Sequence, residues 1–216
     1  MGTANNPARF KLDDRPLNCP SCGAPLPRRF RHAKIAVCES CRSIVYLEGA
    51  DATFLGSQSA LVDYPSLLEL DCTYRYDKLL FEPVGMLRYS YGRGFWEEWW
   101  CVGYDGGGHW ISVDEGDFAM EEPLGTRTGL PSFDDIRRQG SAELLGEVWT
   151  LTEVGEASFA GIAGQLPEVI DPRRQFLYLH LSQPGAKLLT LEYDDPQGPP
   201  ELHLGQWIDP FRIEKV

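Results

Sequence analysis

No run of about 18 consecutive apolar residues occurs anywhere in these 216 residues, which excludes a membrane-spanning helix. The opening segment, MGTANNPARFKLDDRP, has no apolar stretch to serve as the core of a secretory signal, so a cytoplasmic chain is expected. A phosphate-cradling glycine loop, a dinucleotide fingerprint, a GxSxG elbow and an HExxH helix are also missing. The four histidines (His32, His109, His180 and His203) are scattered and form no local catalytic set. Glu97 and Glu98 are adjacent and would face opposite sides of a strand, so they cannot share one substrate. The expectation is a protein without catalysis.

What is present is globular. Hydrophobic residues make up 43% and charged residues 24%, so a chain of this length can bury a sizeable core. The net charge of -12 is unevenly spread. Residues 1–42 carry eight Lys and Arg against three acids, a net of +5, and the remaining 12 basic and 29 acidic residues leave -17 for the rest. A basic head on an acidic body is a two-module signature. It argues against a duplex-binding body, because an acidic surface repels phosphates.

Four of the six cysteines, Cys19, Cys22, Cys38 and Cys41, fall in the pattern C-x2-C-x15-C-x2-C. Each pair can present two thiolates from one tight turn, and the loop between pairs is long enough for a short hairpin. Four thiolates then complete the tetrahedral soft-ligand shell that zinc favours. Gly23 is free to take a positive φ after the first knuckle, where the second has Arg42. The reading is an N-terminal zinc ribbon whose metal is structural, with the same four sulfurs also able to hold iron. Disulfides would suit a secreted chain, and a redox pair would be a single CxxC. Cys72 and Cys101 read as buried small residues. Between the knuckles, Arg28, Arg29, Arg31 and Lys34 surround Phe30 and His32. They form a candidate docking patch for an acidic protein face, an anionic surface, a nucleic-acid backbone or the chain's own acidic body.

From Ile44 onward the chain reads as strands separated by Gly and Pro. Leu68 to Tyr76 alternates as a half-buried strand should. Leu79 to Tyr91 returns before a turn at Gly92-Arg93-Gly94, and Phe95 to Tyr104 and Trp110 to Val113 flank the hairpin signal Asp105-Gly106-Gly107-Gly108. Only Ser132 to Gln139, capped by Ser132, and Ser141 to Leu145 suggest short helices. The expected organisation is a flexible N-terminus at 1–16, the ribbon at 17–48, a connector at 49–66 and a β-rich body at 67–216. That body is mainly antiparallel β, a barrel or sandwich, and holds two related units. Phe81-x3-Gly85 and Phe159-x4-Gly164 would be equivalent, as would the turns after Tyr104-Asp105 and Tyr193-Asp194 and the strands at Trp110 and Glu201.

The run Leu68–Val113, with Gly85, the segment Trp96-Glu97-Glu98-Trp99, the turn Asp105-Gly106 and Trp110-Ile111-Ser112, resembles the bacterial domain of unknown function 4178. The stretch from Leu145-Gly146-Glu147 through Leu188-Thr190-Glu192-Tyr193 to Gly205-Gln206 resembles its downstream part. The likeness covers about two-thirds of the chain and includes the ribbon that some members carry. It implies no established activity. The genes that accompany its relatives imply a supporting role in a polyamine-linked or membrane-stress system.

Four of the six tryptophans lie within 15 residues, at Trp96, Trp99, Trp100 and Trp110. On a strand Trp96, Glu98 and Trp100 share a face, and the hairpin brings Trp110 toward them. Rings beside a carboxylate can receive a cation, with polyamine as the suggested guest. Tryptophans are also commonly spent on packing, with the glutamates paired to Arg88 or Arg93. Two roles follow: an interaction protein that docks onto a protein partner, or a small-cation binder or sensor. Nucleic-acid contact through the ribbon is a third and weaker reading.

Overall fold

The computed structural model describes residues 17–49, 51–57, 61 and 64–216. The expected flexible segment at 1–16 lies outside them. In chain order the strands are β1 (Leu17–Asn18), β2 (Pro25–Leu26), β3 (Ile35–Val37), β4 (Ser43–Glu48), β5 (Asp51–Ser57), β6 (Tyr74–Tyr76), β7 (Leu79–Ser90), β8 (Phe95–Gly103), β9 (Gly108–Asp114) and β10 (Asp117–Thr126). Helix α1 (Phe133–Gln139) follows, then β11 (Ser141–Leu144), β12 (Glu147–Leu166), β13 (Gln175–Gln183), β14 (Lys187–Tyr193), β15 (Glu201–Ile208) and β16 (Ile213–Lys215). The chain is mainly β, as its punctuation implied. No helix among the described residues is long and apolar enough to cross a membrane.

Local chemistry sets the turns. Asp105 Oδ1 accepts from the Gly107 N–H at 2.9 Å, and Gly106 takes φ 90, which folds β8 onto β9. The two-residue loops Glu115–Gly116 and Leu145–Gly146 are wholly at positive φ, the mirror-image turn that matches strand twist. Ser132 caps α1 by accepting the Asp135 N–H, and Gly140 at φ 71 ends it. That left-handed residue sends the chain back along β12. Ser141–Leu144 is therefore a strand rather than the expected helix, with Ala142 and Leu144 buried in alternation. The expected strand at Leu68–Tyr76 is real only over Tyr74–Tyr76, because Asp71 at φ 61 turns the chain before it. The segment read as a connector supplies β5, which pairs with β4.

One antiparallel sheet of 14 strands holds nearly everything. Within it, β7-β8-β9-β10 and β12-β13-β14-β15 are four-stranded meanders. They meet at two seams, β10 against β15 and β7 against β12, so eight strands return on themselves as a barrel. The body is thus built of two four-stranded meanders. Gly85 and Gly164, the proposed equivalents, are register partners across a seam. The other proposed equivalences do not match by position: the Tyr104 turn joins β8 to β9, whereas the Tyr193 turn joins β14 to β15.

The barrel's two faces have unusual chemistry. On the outer face, Phe133 and Ile136 of α1, with Ala142 and Leu144 of β11, cover Leu179, Leu181, Leu189, Leu191 and Leu202. Elsewhere on that face Leu68, Tyr74 and Phe81 pack with Met86, Trp99, Ile111 and Ile213. The inner face starts apolar, with Leu87, Tyr89, Trp96, Trp110, Phe176 and Tyr178, and becomes polar along the same strands. Strands β3–β5 extend the sheet from the far end of β12, where Gln165 and Leu166 pair with Ala36 and Ile35.

The β7–β12 seam is tight. A Cβ on Gly85 would run into the Gln165 carbonyl, and one on Gly164 into that of Val84. Gly85→Ala and Gly164→Ala should each destabilise the fold by roughly 1–3 kcal/mol, read as a lower denaturation midpoint. An unchanged midpoint for both variants would mean that the seam is loose.

Candidate functional site

Two constellations gather chemistry. The first is the four-cysteine cluster. The two knuckles are the same turn made twice: the Gly23 N–H donates to the Cys19 carbonyl and the Arg42 N–H to the Cys38 carbonyl, each at 2.8 Å. Gly23 and Arg42 both close the turn at positive φ, 76 and 61. Cys19 and Cys41 sulfurs lie 3.6 Å apart, and those of Cys22 and Cys38 3.7 Å. Metal–sulfur bonds of about 2.3 Å in a tetrahedron place sulfurs about 3.8 Å apart, whereas a disulfide needs about 2.05 Å. The cluster is thus compatible with one metal ion held by all four sulfurs.

Protonation points the same way. The Ser43 hydroxyl, and then its backbone, draw the Cys41 thiol down to about 6. Cys22 has a backbone hydrogen bond with Ala24 that works in the same direction, yet it is pushed up to about 12, with its contacts to Cys41, Cys38 and Cys19 among the causes. Cys41 thus favours the thiolate a metal would need, and a cation between the sulfurs would offset the neighbouring contacts that raise Cys22.

The basic patch beside this cluster is partly spent. The Arg28 guanidinium donates to the Gly49 carbonyl. Arg29 pairs with Glu39 at 3.2 Å and with Asp71 of the body at 2.8 Å, and its N–H donates to the Gln165 side chain at 2.8 Å. Arg31 and Lys34 remain exposed.

The second constellation is the barrel interior. Trp96, Glu98 and Trp100 do share a face, and Trp100 meets its register partner Trp110 with ring centroids 5.1 Å apart. Trp96 and Trp110 are only 7% and 6% exposed. The glutamate that pairs with an arginine is Glu97, whose carboxylate takes Arg88 at 2.5 Å and the Trp99 indole at 3.1 Å on the opposite face. Glu98 accepts one bond, from the Trp96 indole at 3.0 Å, and meets no cation among the described residues.

Sequence reasoning missed what Glu98 faces. A cavity of about 130 Å³ is lined by Trp96, Glu98, Ser112, Glu121, Thr190 and Glu192, and a second of about 260 Å³ by Tyr89, Glu98, Arg174, Glu192, Glu201 and His203. Glu98 and Glu192 line both. Most neighbouring carboxylates are satisfied. Glu121 accepts from Thr190 at 2.6 Å and Ser112 at 2.8 Å, Glu153 contacts Tyr178 and His180, and Glu192 pairs with Arg174 at 2.9 Å. Burial pushes the Glu98 carboxyl well above the usual range, and the Glu192 charge pushes it further. The signal for these partners was the alternation in Leu189-Thr190-Leu191-Glu192, polar residues between leucines that face a covered surface. A larger groove of about 670 Å³ beside β3–β5 is lined mainly by Ile35, Ile44, Leu55 and Phe159, and its Asp171 and Arg173 satisfy each other.

The family described as "Domain of unknown function (DUF4178)" matches residues 72–210, a span that contains the whole barrel. No curated protein and no solved structure matches the chain.

Replacing Cys19 or Cys38 with Ser should lower the metal content of purified protein by about one ion per chain and bring down its thermal midpoint. Elemental analysis beside a melting curve checks both. Full retention of metal and stability would remove the site.

Proposed function

Since this chain belongs to the DUF4178 family, whose description states no activity, we propose a function from the geometry: a non-catalytic binding protein that takes a small cation into its acid-lined barrel. The observation that carries this reading is Glu98, a half-buried carboxyl on the inner face of the barrel, beside the Trp96 ring and without a cationic partner among the described residues. Ionising such a group in this setting is unfavourable unless a positive charge meets it. The two cavities meeting at Glu98 and Glu192 suit a linear guest, so a polyamine is the class proposed. Trp96 and Tyr178 walls favour an ammonium by ring-face attraction, and the acidic body raises the local concentration of cations.

In the same proposal the four cysteines hold zinc as a folding element, a zinc ribbon attached to the barrel. Four thiolates fill a tetrahedral ion, leaving no position for a reacting water. A docking role is the weaker alternative, because Arg28 and Arg29 are turned onto the chain's own carbonyl and carboxylates.

The pH dependence follows from Glu98. With its folded value raised, the neutral carboxyl favours the empty barrel at low pH, and that contribution is lost as pH climbs through the raised value. A cationic guest needs the carboxylate, so affinity should rise over the same window and binding should release a proton. Calorimetry with spermidine in buffers of different ionisation enthalpy reads both effects. Glu98→Gln should weaken binding roughly ten- to a hundredfold while leaving the empty protein folded, and added salt should weaken it further. Equal affinity in the variant, or no binding of spermidine at all, would refute this function.

A further inference from the structure

The wider cavity, at the end of the barrel nearest Arg174, holds two groups, Glu201 and His203, that the Glu98 reading does not use. Glu192 and Glu201 are register partners across the β14–β15 ladder, and His203 lies two residues along the same face of β15. One ligand atom from each of these three side chains lies within 4.8 Å of the others. Two carboxylates set directly opposite each other repel and by themselves weaken the ladder. Arg174 relieves only part of this, since it takes one Glu192 oxygen at 2.9 Å and otherwise binds Asp194.

Tyr89 adds an independent polar group to this cavity. It lines the same cavity, is 3% exposed, and its hydroxyl has no hydrogen-bond partner among the described residues. The rest of the side chain is enclosed, so the hydroxyl has the cavity from which to take a partner. The neighbouring Glu201 carboxylate and His203 ring also make no hydrogen bond with described residues. Three polar groups thus line one cavity without a hydrogen-bond partner among the described residues.

We propose that Glu192, Glu201 and His203 form a second metal site, for a divalent first-row ion, at this end of the barrel. An imidazole with two carboxylates is a nitrogen–oxygen donor set, unlike the four sulfurs of the cysteine cluster. The two sites should therefore sort metals: thiolates select a soft ion, and the barrel site accepts a harder one such as Mn²⁺. Three protein ligands leave coordination positions open toward the cavity, where the Tyr89 hydroxyl can donate to whatever ligand fills them. The site shares Glu192 and its cavity with the proposed amine path, so the two guests would compete, but it does not rest on that path, because Glu98 is not among its ligands.

The test is Mn²⁺ titration of zinc-loaded protein, following the loss of the free-ion signal by electron paramagnetic resonance. One Mn²⁺ per chain is expected, and Glu98→Gln should retain it. His203→Ala should weaken it at least tenfold, while the cysteine-bound zinc stays in place. If His203→Ala does not fold, Glu201→Gln is the variant read, with the same expectation. Absence of Mn²⁺ uptake by the unmodified protein, or equal uptake by a folded variant, would overturn the site. The Mn²⁺ titration contains no amine and the spermidine calorimetry no Mn²⁺, so either proposal can fail alone.

Discussion

The seam where β7 meets β12 is the constraint on which the rest depends. Gly85 and Gly164 let the two backbones approach where no Cβ fits, and that approach converts two open meanders into a ring. Without closure, the outward leucines would still have α1 and β11 to cover them, but the inward carboxylates would face bulk water rather than one another. The same β12 continues past the seam to pair with β3, so the cysteine module is attached to the strand that closes the barrel. Gln165 reinforces the join, accepting from the Arg29 N–H and donating its own amide to the Pro27 carbonyl.

Closure also explains the polarity of the barrel. A small barrel usually fills its interior with apolar side chains. Here the apolar cluster fills only part of the interior, and two further clusters lie outside the ring, under the helix–β11 cover and around Leu68, Tyr74 and Ile213. With stability supplied there, the interior can retain Glu98, Glu121, Glu192 and their hydroxyl and imidazole neighbours. Arg88 and Glu97 show the contrast. They are a buried pair on the outer face, and Arg88 also lies over the Phe95 ring at 4.7 Å, so Glu97 is committed to structure while Glu98 is not.

How much could be read in the sequence follows from distance along the chain. The cysteine knuckles and the Asp105 turn were legible because the residues that make them are neighbours. So was the shared face of Trp96, Glu98 and Trp100, since strand alternation is local. The partners of Glu98 were not, because Glu192, Glu201 and His203 come from the other meander and reach it only through the seams. Ser141–Leu144 misled because four residues are too few to separate the helical period from the strand period, and its pairing partner decided. At Leu68–Cys72 the alternation was real but belonged to a packed loop, with Asp71 turning the chain beneath Pro83.

The topology also sets an order of events. Pairings within each meander join strands close in sequence, whereas the β7–β12 seam joins residues some 70 to 80 positions apart. Entropy of loop closure therefore favours early meanders and a late, slow docking of one on the other. Trp96 and Phe176 lie on different meanders and meet at 6.2 Å, so quenching or recovery of Trp96 emission during refolding would time that docking. A nascent chain would then hold its first meander, with an acidic inner face and an unpaired β10 edge, until the second emerged. The many carboxylates on that face would keep such a half-barrel apart from its neighbours while it waits.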